Sequence, residues 1–393
     1  MTSLRRHLDW VSVSTVTLLV VLGVVFIWSS TYGSTRFADL WIKQVRYAMC
    51  AIPLMILVLK VPYPRWVSMA PLLYALLVCT LLAVLVIGVD KKGARRWIGL
   101  GDGFELQPAE FAKLVLILML ARLLSAAARD RQWATARAFG FAAPLMMLIA
   151  AEPDLGSSLI LLPVLFAMLY VAGANRKMIA AIALAAPLLG VAIWFSPLLK
   201  DYQRARLRTF VVPWSSLIDD VEAARKAGRP DAARAAEQEL NELRRGEGFQ
   251  QYQAMISVGS GGLGGKGLLK GPQNRLEYLP ESHTDFIFAV IAEEWGFTGA
   301  AGVITALLVL ALRLLFQAHE THDPTGRLIQ VGVAAQLSSQ AFVNIGMTLG
   351  ILPITGVTLP FLSLGGSSLW VSLLAVAFAL NVGLYRHRIF PFY

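Results

Sequence analysis

Long apolar runs, separated by short polar connections, cover most of the chain. Most of the runs are roughly 20 residues long, the length an α-helix needs to cross the hydrocarbon core of a bilayer. Helices are expected because they satisfy every backbone hydrogen bond within the lipid. We therefore predict an all-α integral membrane protein, a bundle of about ten transmembrane helices. The predicted spans are 10–30, 41–59, 67–89, 107–125, 137–151, 155–173, 178–196, 284–316, 327–350 and 361–384.

Composition supports the membrane interpretation. Hydrophobic residues make up 56% of the 393 residues and charged residues only 15%, against about 45–50% and about 25% in soluble domains. This excludes a soluble enzyme, a disordered chain and a fibrous repeat. Cys50 and Cys79 both lie in apolar runs, so no disulfide framework is expected. The first run is too long for a cleaved signal peptide and predicts an uncleaved span.

Basic residues in the short connections predict the orientation, because such residues concentrate on the cytoplasmic side. With the N-terminus inside, the inner side carries Arg5, Arg6, Arg65, Arg129, Arg131, Arg137, Arg176, Lys177, Arg327, Arg386 and Arg388. Both termini are therefore predicted to be cytoplasmic. The net charge of +10 fits cytoplasmic loops and lipid headgroups, and no nucleic-acid-binding signature is present.

The chain divides into three regions. Residues 1–196 hold helices 1–7, 197–283 form one long extracytoplasmic loop, and 284–393 hold helices 8–10 with a short cytoplasmic tail. Within the loop, a charged insertion at 215–247 predicts an exposed helix pair without visible chemistry. The Gly-rich segment 258–271 lacks the spacing of a nucleotide-binding loop. Its glycines are expected to let the backbone lie close to another surface or to a substrate.

A basic cluster at 91–96 interrupts the outer side, where the orientation rule disfavours cations. It is either a solvated loop or a site for an anionic group such as a pyrophosphate. We favour the second interpretation, with Arg95 and Arg96 as ligands, because guanidinium groups offer bidentate hydrogen bonds to phosphate oxygens.

Ionisable residues in apolar spans are costly, and a functional role is the default hypothesis. Glu110 and Lys113 are three residues apart, so they share one helix face and can pair. They form either a structural ion pair or a pair that faces a polar cavity. Asp154, between the fifth and sixth spans, either caps the sixth helix or takes part in the chemistry.

Asp285 opens the eighth predicted span at the outer face, beside the Gly-rich segment. Either Thr284 or Asp285 caps the helix, or Asp285 meets the headgroup of an amphiphilic substrate. Glu293 and Glu294 lie deeper, and at least one of them must face the bundle interior. Together the residues predict an outward-facing polar site, with cations on one side and carboxylates on the other. Such a site suits a lipid-linked pyrophosphate and general-base chemistry.

Over nearly its whole length the sequence resembles the SEDS family (shape, elongation, division and sporulation proteins). The segments that carry the resemblance are Gly93-Ala94-Arg95-Arg96-Trp97-Ile98, Gln107 to Lys113, Glu152-Pro153-Asp154-Leu155-Gly156, Asp201-Tyr202-Gln203-Arg204, Ser257-Val258-Gly259-Ser260-Gly261-Gly262, Leu279 to Glu294, Asn344-Ile345-Gly346-Met347, Leu352-Pro353 and Gly365-Gly366-Ser367-Ser368. The chain departs from the family at Ala109, where Ser is usual, and in the insertion at about 215–247.

The resemblance implies a bacterial cytoplasmic (inner) membrane enzyme, a peptidoglycan glycosyltransferase that polymerises lipid II. Its implied partners are a class B penicillin-binding protein transpeptidase and other membrane proteins of the elongation complex. Asn344-Ile345-Gly346-Met347 favours the elongation branch of the family over the division branch. By motif, Asp285 matches the essential aspartate of the family. The substrate-binding candidates are Arg95, Arg96, Glu110, Lys113, Asp154, Arg204 and His283.

The implied reaction is an inverting transfer with Asp285 as general base. No cofactor is certain and the metal ligands are unknown; a divalent cation, Mg²⁺ or Mn²⁺, is one candidate for stabilising the leaving pyrophosphate. Two other hypotheses stay open. A lipid II flippase would use the same cations without bond chemistry, and a scaffold would only recruit a partner.

Overall fold

The computed structural model describes residues 8–34, 37–91, 94–99, 105–126, 131–175, 177–181, 184, 214–245, 247–276, 278–279 and 281–386. Within these residues the membrane region contains helices α1 (Trp10–Thr31), α2 (Leu40–Lys60), α3 (Tyr63–Ser68), α4 (Ala70–Ile87), α5 (Pro108–Ala126), α6 (Arg131–Ala151) and α7 (Leu155–Val171). The long loop contains α8 (Trp214–Lys226), α9 (Pro230–Arg245), α10 (Glu247–Ser260) and α11 (Pro272–Arg275). The C-terminal part contains α12 (Ile287–Glu320), α13 (Pro324–Thr348) and α14 (Gly366–Tyr385).

The predicted spans and the observed helices correspond over the described residues. Among the residues that the structure describes, six helices are long and apolar enough to cross a membrane: α1, α2, α4, most of α6, α12 and α14. The apolar helix α7 is shorter. The remaining predicted spans at 107–125 and 327–350 correspond to α5 and α13, which carry buried polar side chains. Most of the predicted seventh span, 178–196, lies outside the described residues.

Several helix ends differ from the prediction for local reasons. The eighth span was predicted from 284, but α12 begins at Ile287 because residues 281–286 form turns in which the Thr284 and Phe286 amides donate to the Glu281 carbonyl. The last span was predicted from 361, but α14 begins at Gly366 because residues 349–365 form an irregular connection. Apolar composition alone cannot distinguish these buried connections from helix.

Three short antiparallel strands, which the sequence did not predict, lie between α4 and α5: β1 (Val89–Lys91), β2 (Ala94–Gly99) and β3 (Glu105–Leu106). β1 pairs with β2, and Ile98 in β2 pairs with Leu106 in β3. Of the basic cluster, predicted to be a loop, Lys91 therefore lies in β1, and Arg95 and Arg96 lie in β2; these two paired strands are the strand hairpin. Backbone pairing satisfies its polar groups where the chain leaves the helical bundle.

Helix α13 occupies the centre of the bundle and packs against α5, α7, α12 and α14. The Asp323 carboxylate caps its first turn by accepting from the Gly326 amide, and Pro324 occupies its first position. One face of the helix carries fully buried polar side chains at four-residue intervals: Gln336, Gln340, Asn344 and Thr348. Such a polar stripe is tolerated in a membrane helix because it faces protein instead of lipid.

The charged insertion forms the helix pair α8–α9, with a turn at Gly228, whose φ is 63°. The Arg225 Nε atom donates to Glu237 Oε1 across the pair at 3.1 Å, and Lys226 Nζ is 3.5 Å from Glu222 Oε2. These four side chains are substantially exposed. Exposed ion pairs of this kind contribute little to stability.

Candidate active site

Asp285 is half-buried in the turn that precedes α12. Neither Thr284 nor Asp285 caps the helix: the capping position is Phe286, and no side chain accepts from the first helical turn. The capping alternative for Asp285 is therefore wrong, because the helix begins one residue too late for it. The Asp285 carboxylate instead lies beside Gly356, where a Cβ atom would be 3.6 Å from Asp285 Oδ2.

His283 lies in the same turn as Asp285. Its carbonyl accepts from the Leu364 amide at 2.9 Å, and its ring centroid is 5.2 Å from that of Phe37. The turn is thus attached to the connection at 349–365 on one side and contacts the segment between α1 and α2 on the other.

Glu110 and Lys113 form the ion pair that their spacing predicts, with Lys113 Nζ 2.9 Å from Glu110 Oε2. The two side chains are 10% and 1% exposed, so the pair lies inside the bundle. Lys113 Nζ is also 3.4 Å from Gln340 Oε1. The Gln340 Nε2 atom in turn donates to the Thr358 carbonyl at 3.2 Å. The pair is therefore connected to α13 and to the connection before α14.

Asp154 caps α7, because its Oδ1 atom accepts from the Ser157 amide at 3.1 Å. Its Oδ2 atom accepts from Gln107 Nε2 at 2.8 Å. Two residues later, Gly156 lies against the 349–365 connection, where a Cβ atom would be 2.5 Å from the Thr355 carbonyl. Glycine is needed for this close approach of helix α7 to the connection. The capping alternative for Asp154 thus describes its observed contacts.

One short stretch of the 349–365 connection brings these groups together. Gly356 lies beside the Asp285 carboxylate. Val357 contacts the start of α7 at Gly156, and Thr358 bonds to Gln340, the partner of Lys113. Asp285, the Glu110–Lys113 pair and the start of α7, which are distant along the chain, therefore surround the consecutive residues 356–358.

The two predicted phosphate ligands in β2 have different surroundings. Arg96 donates through Nε to the Glu152 carbonyl at 2.9 Å and through a second nitrogen to the Pro153 carbonyl. Arg95 is exposed, and its guanidinium lies 3.3 Å from the Val86 carbonyl. Arg96 therefore holds the turn before Asp154, which leaves Arg95 as the more accessible cation. The third arginine candidate, Arg204, lies outside the described residues.

Glu152 is fully buried beside this arginine, and its two carboxyl oxygens have no hydrogen-bond partner among the described residues. Burial and, to a smaller extent, the nearby Asp154 raise the pKa of Glu152 to about 8, although Arg96 acts in the opposite direction. The carboxyl group is thus largely protonated at neutral pH. The sequence identified this residue only as part of a motif, because burial is not visible in a three-residue turn.

The Gly-rich segment docks onto a break in α12 at Gly296, where φ is 66° and ψ is −162°. Four backbone hydrogen bonds of 2.8–3.1 Å join the two: Lys266 N to Glu293 O, Gly267 N to Glu294 O, Phe297 N to Gly262 O, and Thr298 N to Leu263 O. The expectation that these glycines bring the backbone close to another surface is met. A Cβ atom at Gly261 would lie 1.9 Å from the Ala292 carbonyl.

Both deep glutamates of α12 face protein. Glu293 is fully buried and pairs with Lys266 Nζ at 3.1 Å. The Glu294 carboxylate accepts from the Ser29 hydroxyl at 2.6 Å. The cation that neutralises Glu293 thus comes from the docked Gly-rich segment. Sequence reasoning missed Lys266 as this partner because the two residues are far apart along the chain.

No group of three or more His, Cys, Asp and Glu side chains that could hold a metal ion occurs among the residues that the structure describes. The buried carboxylates described above are each bonded to protein or are enclosed. The divalent cation at the leaving pyrophosphate stays a prediction.

The sequence model of the FtsW, RodA and SpoVE family, described as cell cycle protein, matches residues 9–388. The peptidoglycan glycosyltransferase MrdB of Escherichia coli K12 is 34% identical over 98% of this chain and 95% of its own length. A probable peptidoglycan glycosyltransferase FtsW of Geobacter metallireducens is 35% identical over 93% and 91%. A structure described as a peptidoglycan synthase complex that coordinates polymerization and crosslinking matches with a TM-score of 0.77 and 30% identity, covering 97% of this chain and 99% of that one.

Proposed function

This chain belongs to the FtsW, RodA and SpoVE family of cell cycle proteins, and we propose that it is a membrane-embedded peptidoglycan glycosyltransferase that polymerises lipid II. The observation that carries the proposal is the convergence of Asp285, the Glu110–Lys113 pair and the start of α7 on Gly356–Thr358. A half-buried carboxylate held beside a rigid polar network is the arrangement that general-base chemistry requires.

In the proposed reaction, Asp285 takes the proton from the 4-hydroxyl of the acceptor sugar. The oxygen then attacks the anomeric carbon of the donor, the bond from that carbon to the pyrophosphate breaks, and undecaprenyl pyrophosphate leaves. A single displacement with one base inverts the configuration at the anomeric carbon.

Two kinds of basic residue serve different purposes in this proposal. Arg95 is exposed on the strand hairpin and stabilises the departing pyrophosphate, since charge-assisted bonds to phosphate are strong. Lys113 is buried and fully engaged with Glu110 and Gln340, which supports an orienting role for the pair over direct contact with phosphate. In this proposal Arg95 is thus the described cation that stabilises the leaving group.

The natural partner of this activity is a class B penicillin-binding protein, which crosslinks the new strands. This part of the proposal is supported by the likeness to a complex that coordinates polymerization and crosslinking. We assign the protein to cell elongation on the Asn344-Ile345-Gly346-Met347 segment and on the similarity to MrdB. The test uses two strains. The protein should rescue rod shape in a strain depleted of its elongation polymerase, and should not rescue division in a strain depleted of its division polymerase.

The same proposal places both termini in the cytoplasm and the α8–α9 pair outside. A protease added to intact spheroplasts should cut at an engineered site at Gly228 and spare a tag after Tyr393. Cleavage of the tag alone would reverse the orientation and, with it, the side of the membrane on which Asp285 acts.

Asp285→Asn tests the chemistry, because the amide is nearly isosteric but cannot accept the proton. Turnover of labelled lipid II by the purified protein should fall by about 10²–10⁴, the usual contribution of general acid–base catalysis. Lipid II binding and thermal stability should stay close to those of the wild type.

Asp323→Asn is a matched control, because Asp323 caps α13 at the inner end of the bundle and Asn caps about as well. It should leave turnover unchanged. Polymer formation at the normal rate by Asp285→Asn would refute the base assignment. Translocation of lipid II without polymer by the wild type would favour the flippase.

A further inference from the structure

Asn344 is one of the buried polar residues that recur every four positions on one face of α13, and it makes two contacts at the candidate active site. Its Nδ2 atom donates to the Asp285 carbonyl at 2.8 Å and to the Val357 carbonyl at 2.7 Å. The side chain is fully buried. Both hydrogens of one amide group are thus used to join two segments that are distant along the chain.

The Asp285 carbonyl lies just before the start of α12 and accepts from Asn344. The first bond of the helix region runs from the Ala289 amide to the Phe286 carbonyl, which leaves the preceding carbonyl outside the ladder. A buried carbonyl without a donor is costly. The orientation of the Asn344 amide is also determined, because rotation by 180° would place its oxygen against two carbonyl oxygens.

The Asn344 Oδ1 atom has no hydrogen-bond partner among the described residues, although it is buried. An unpaired buried acceptor carries a desolvation penalty, but an apolar side chain would take this donor away from the Asp285 and Val357 carbonyls. A residue selected only for packing would not be an asparagine. The penalty is offset by what the two donated bonds hold in place.

Those two bonds determine the geometry around the Asp285 carboxylate. One bond fixes the backbone from which the carboxylate projects. The other fixes Val357, which adjoins Gly356, the residue beside Asp285 Oδ2. One turn earlier on α13, Gln340 bonds to the next carbonyl, that of Thr358. The polar face of α13 therefore bonds both to the backbone of Asp285 and to the Val357–Thr358 backbone that lies beside the Asp285 carboxylate.

We propose that Asn344 is a positioning residue for the glycosyl transfer: its amide holds Asp285 and Gly356–Val357 at the separation that the reaction requires. This inference rests on the proposed function, in which Asp285 is the general base. Misplacement of a reacting group by about 1 Å costs roughly 100-fold in rate. The residue touches neither sugar nor phosphate in this proposal and acts through Asp285.

Asn344→Ala, compared with Asn381→Ala, separates positioning from stability. Asn381 is an equally buried asparagine in α14 whose amide also bonds two carbonyls, those of Val58 and Val61. Both variants should lose thermal stability. Only Asn344→Ala should lower turnover of lipid II, by roughly 10- to 100-fold, with lipid II binding within about threefold of wild type. Equal turnover of the two variants would refute the inference.

A second comparison uses Asp285→Asn as background. If Asn344 acts through Asp285, adding Asn344→Ala to Asp285→Asn should lower the residual turnover by no more than about twofold, because residues that act as a unit are not additive. Multiplied losses would refute the positioning role and leave the proposed function intact. Normal turnover by Asp285→Asn itself would refute both.

Asn344→Ser keeps one donor and serves if the alanine variant does not fold. Its turnover should lie between that of the wild type and that of Asp285→Asn. Wild-type turnover by a folded serine variant, which can hold at most one of the two carbonyls, would contradict the proposal.

Discussion

Gly261→Ala should release the Gly-rich segment from the break in α12. The added Cβ atom would lie 1.9 Å from the Ala292 carbonyl, a backbone atom that no side-chain rotation can move. To restore an ordinary contact of about 3.4 Å, the segment must lift by about 1.5 Å. The four backbone hydrogen bonds between the segment and α12 are 2.8–3.1 Å long, so this displacement breaks most of them.

Each of these bonds contributes about 0.5–1.5 kcal/mol net. Loss of all four would cost roughly 2–6 kcal/mol, and partial relaxation of the backbone favours the lower half of that range. Glu293 would also lose Lys266, its cation at 3.1 Å. A buried charge that loses its partner is strongly destabilising. We therefore expect Gly261→Ala to lose at least about 2 kcal/mol of unfolding free energy, which lowers the apparent melting temperature by about 2 °C or more.

Heating the detergent-solubilised protein, followed by size-exclusion chromatography, measures this decrease in apparent melting temperature. Gly264→Ala is the matched control, since a Cβ atom there meets nothing within 4 Å. Amide hydrogen exchange adds a local measurement: Lys266 and Gly267 should lose protection in the first variant and keep it in the control. Equal melting temperatures and equal protection in the two variants would show that the docking geometry is wrong.

Residues on the predicted extracytoplasmic side of the membrane can be tested in three ways. Replacing residues 217–246 with a Gly/Ser linker should leave lipid II turnover within about threefold, because the α8–α9 pair is exposed; complete loss in a folded protein would reveal a missed contact. Arg96→Ala should lower thermal stability, because the side chain holds the Glu152–Pro153 turn. Arg95→Ala should instead lower the rate of lipid II turnover by roughly tenfold without loss of stability. The reverse pattern would contradict the roles given to the two arginines. Glu152→Gln should gain stability relative to the wild type as pH rises from about 6 to 8.5, measured by melting temperature. The reason is that the wild-type carboxyl has a folded pKa near 8, above its unfolded value, so the wild type loses stability as pH rises toward 8. A constant difference in melting temperature between the two proteins would refute the raised pKa.

Most of the helices were predictable because length and apolarity determine a transmembrane span. Their ends were less predictable where a buried connection is itself apolar. Residues 349–365 lie outside any helix in the structure, yet much of this stretch reads as apolar. The strand hairpin at 89–106 was not predictable either, since its strands are short and its charges suggested a solvated loop.

Motif reasoning could name the candidate site residues, but not most of the contacts that they make in the structure. The spacing of Glu110 and Lys113 predicts their ion pair, because both lie on one helix. The attachment of Arg96 to the Glu152–Pro153 carbonyls joins a strand to a distant turn, and no local pattern encodes it. The four-residue spacing of Gln336, Gln340 and Asn344 in an apolar run was the one available signal for a polar helix face.

The polar face of α13 explains why a membrane helix carries amides where lipid-facing helices carry only apolar groups. Amides donate to carbonyls without the desolvation cost of a charge, so they can hold an irregular connection inside the bundle. Gln340 and Asn344 are one turn apart and hold the consecutive carbonyls of Thr358 and Val357. Because Gln340 also meets Lys113 and Asn344 also meets Asp285, rotation of α13 would move both charged groups together. The relative position of the carboxylate and the buried ion pair is therefore determined by one helix.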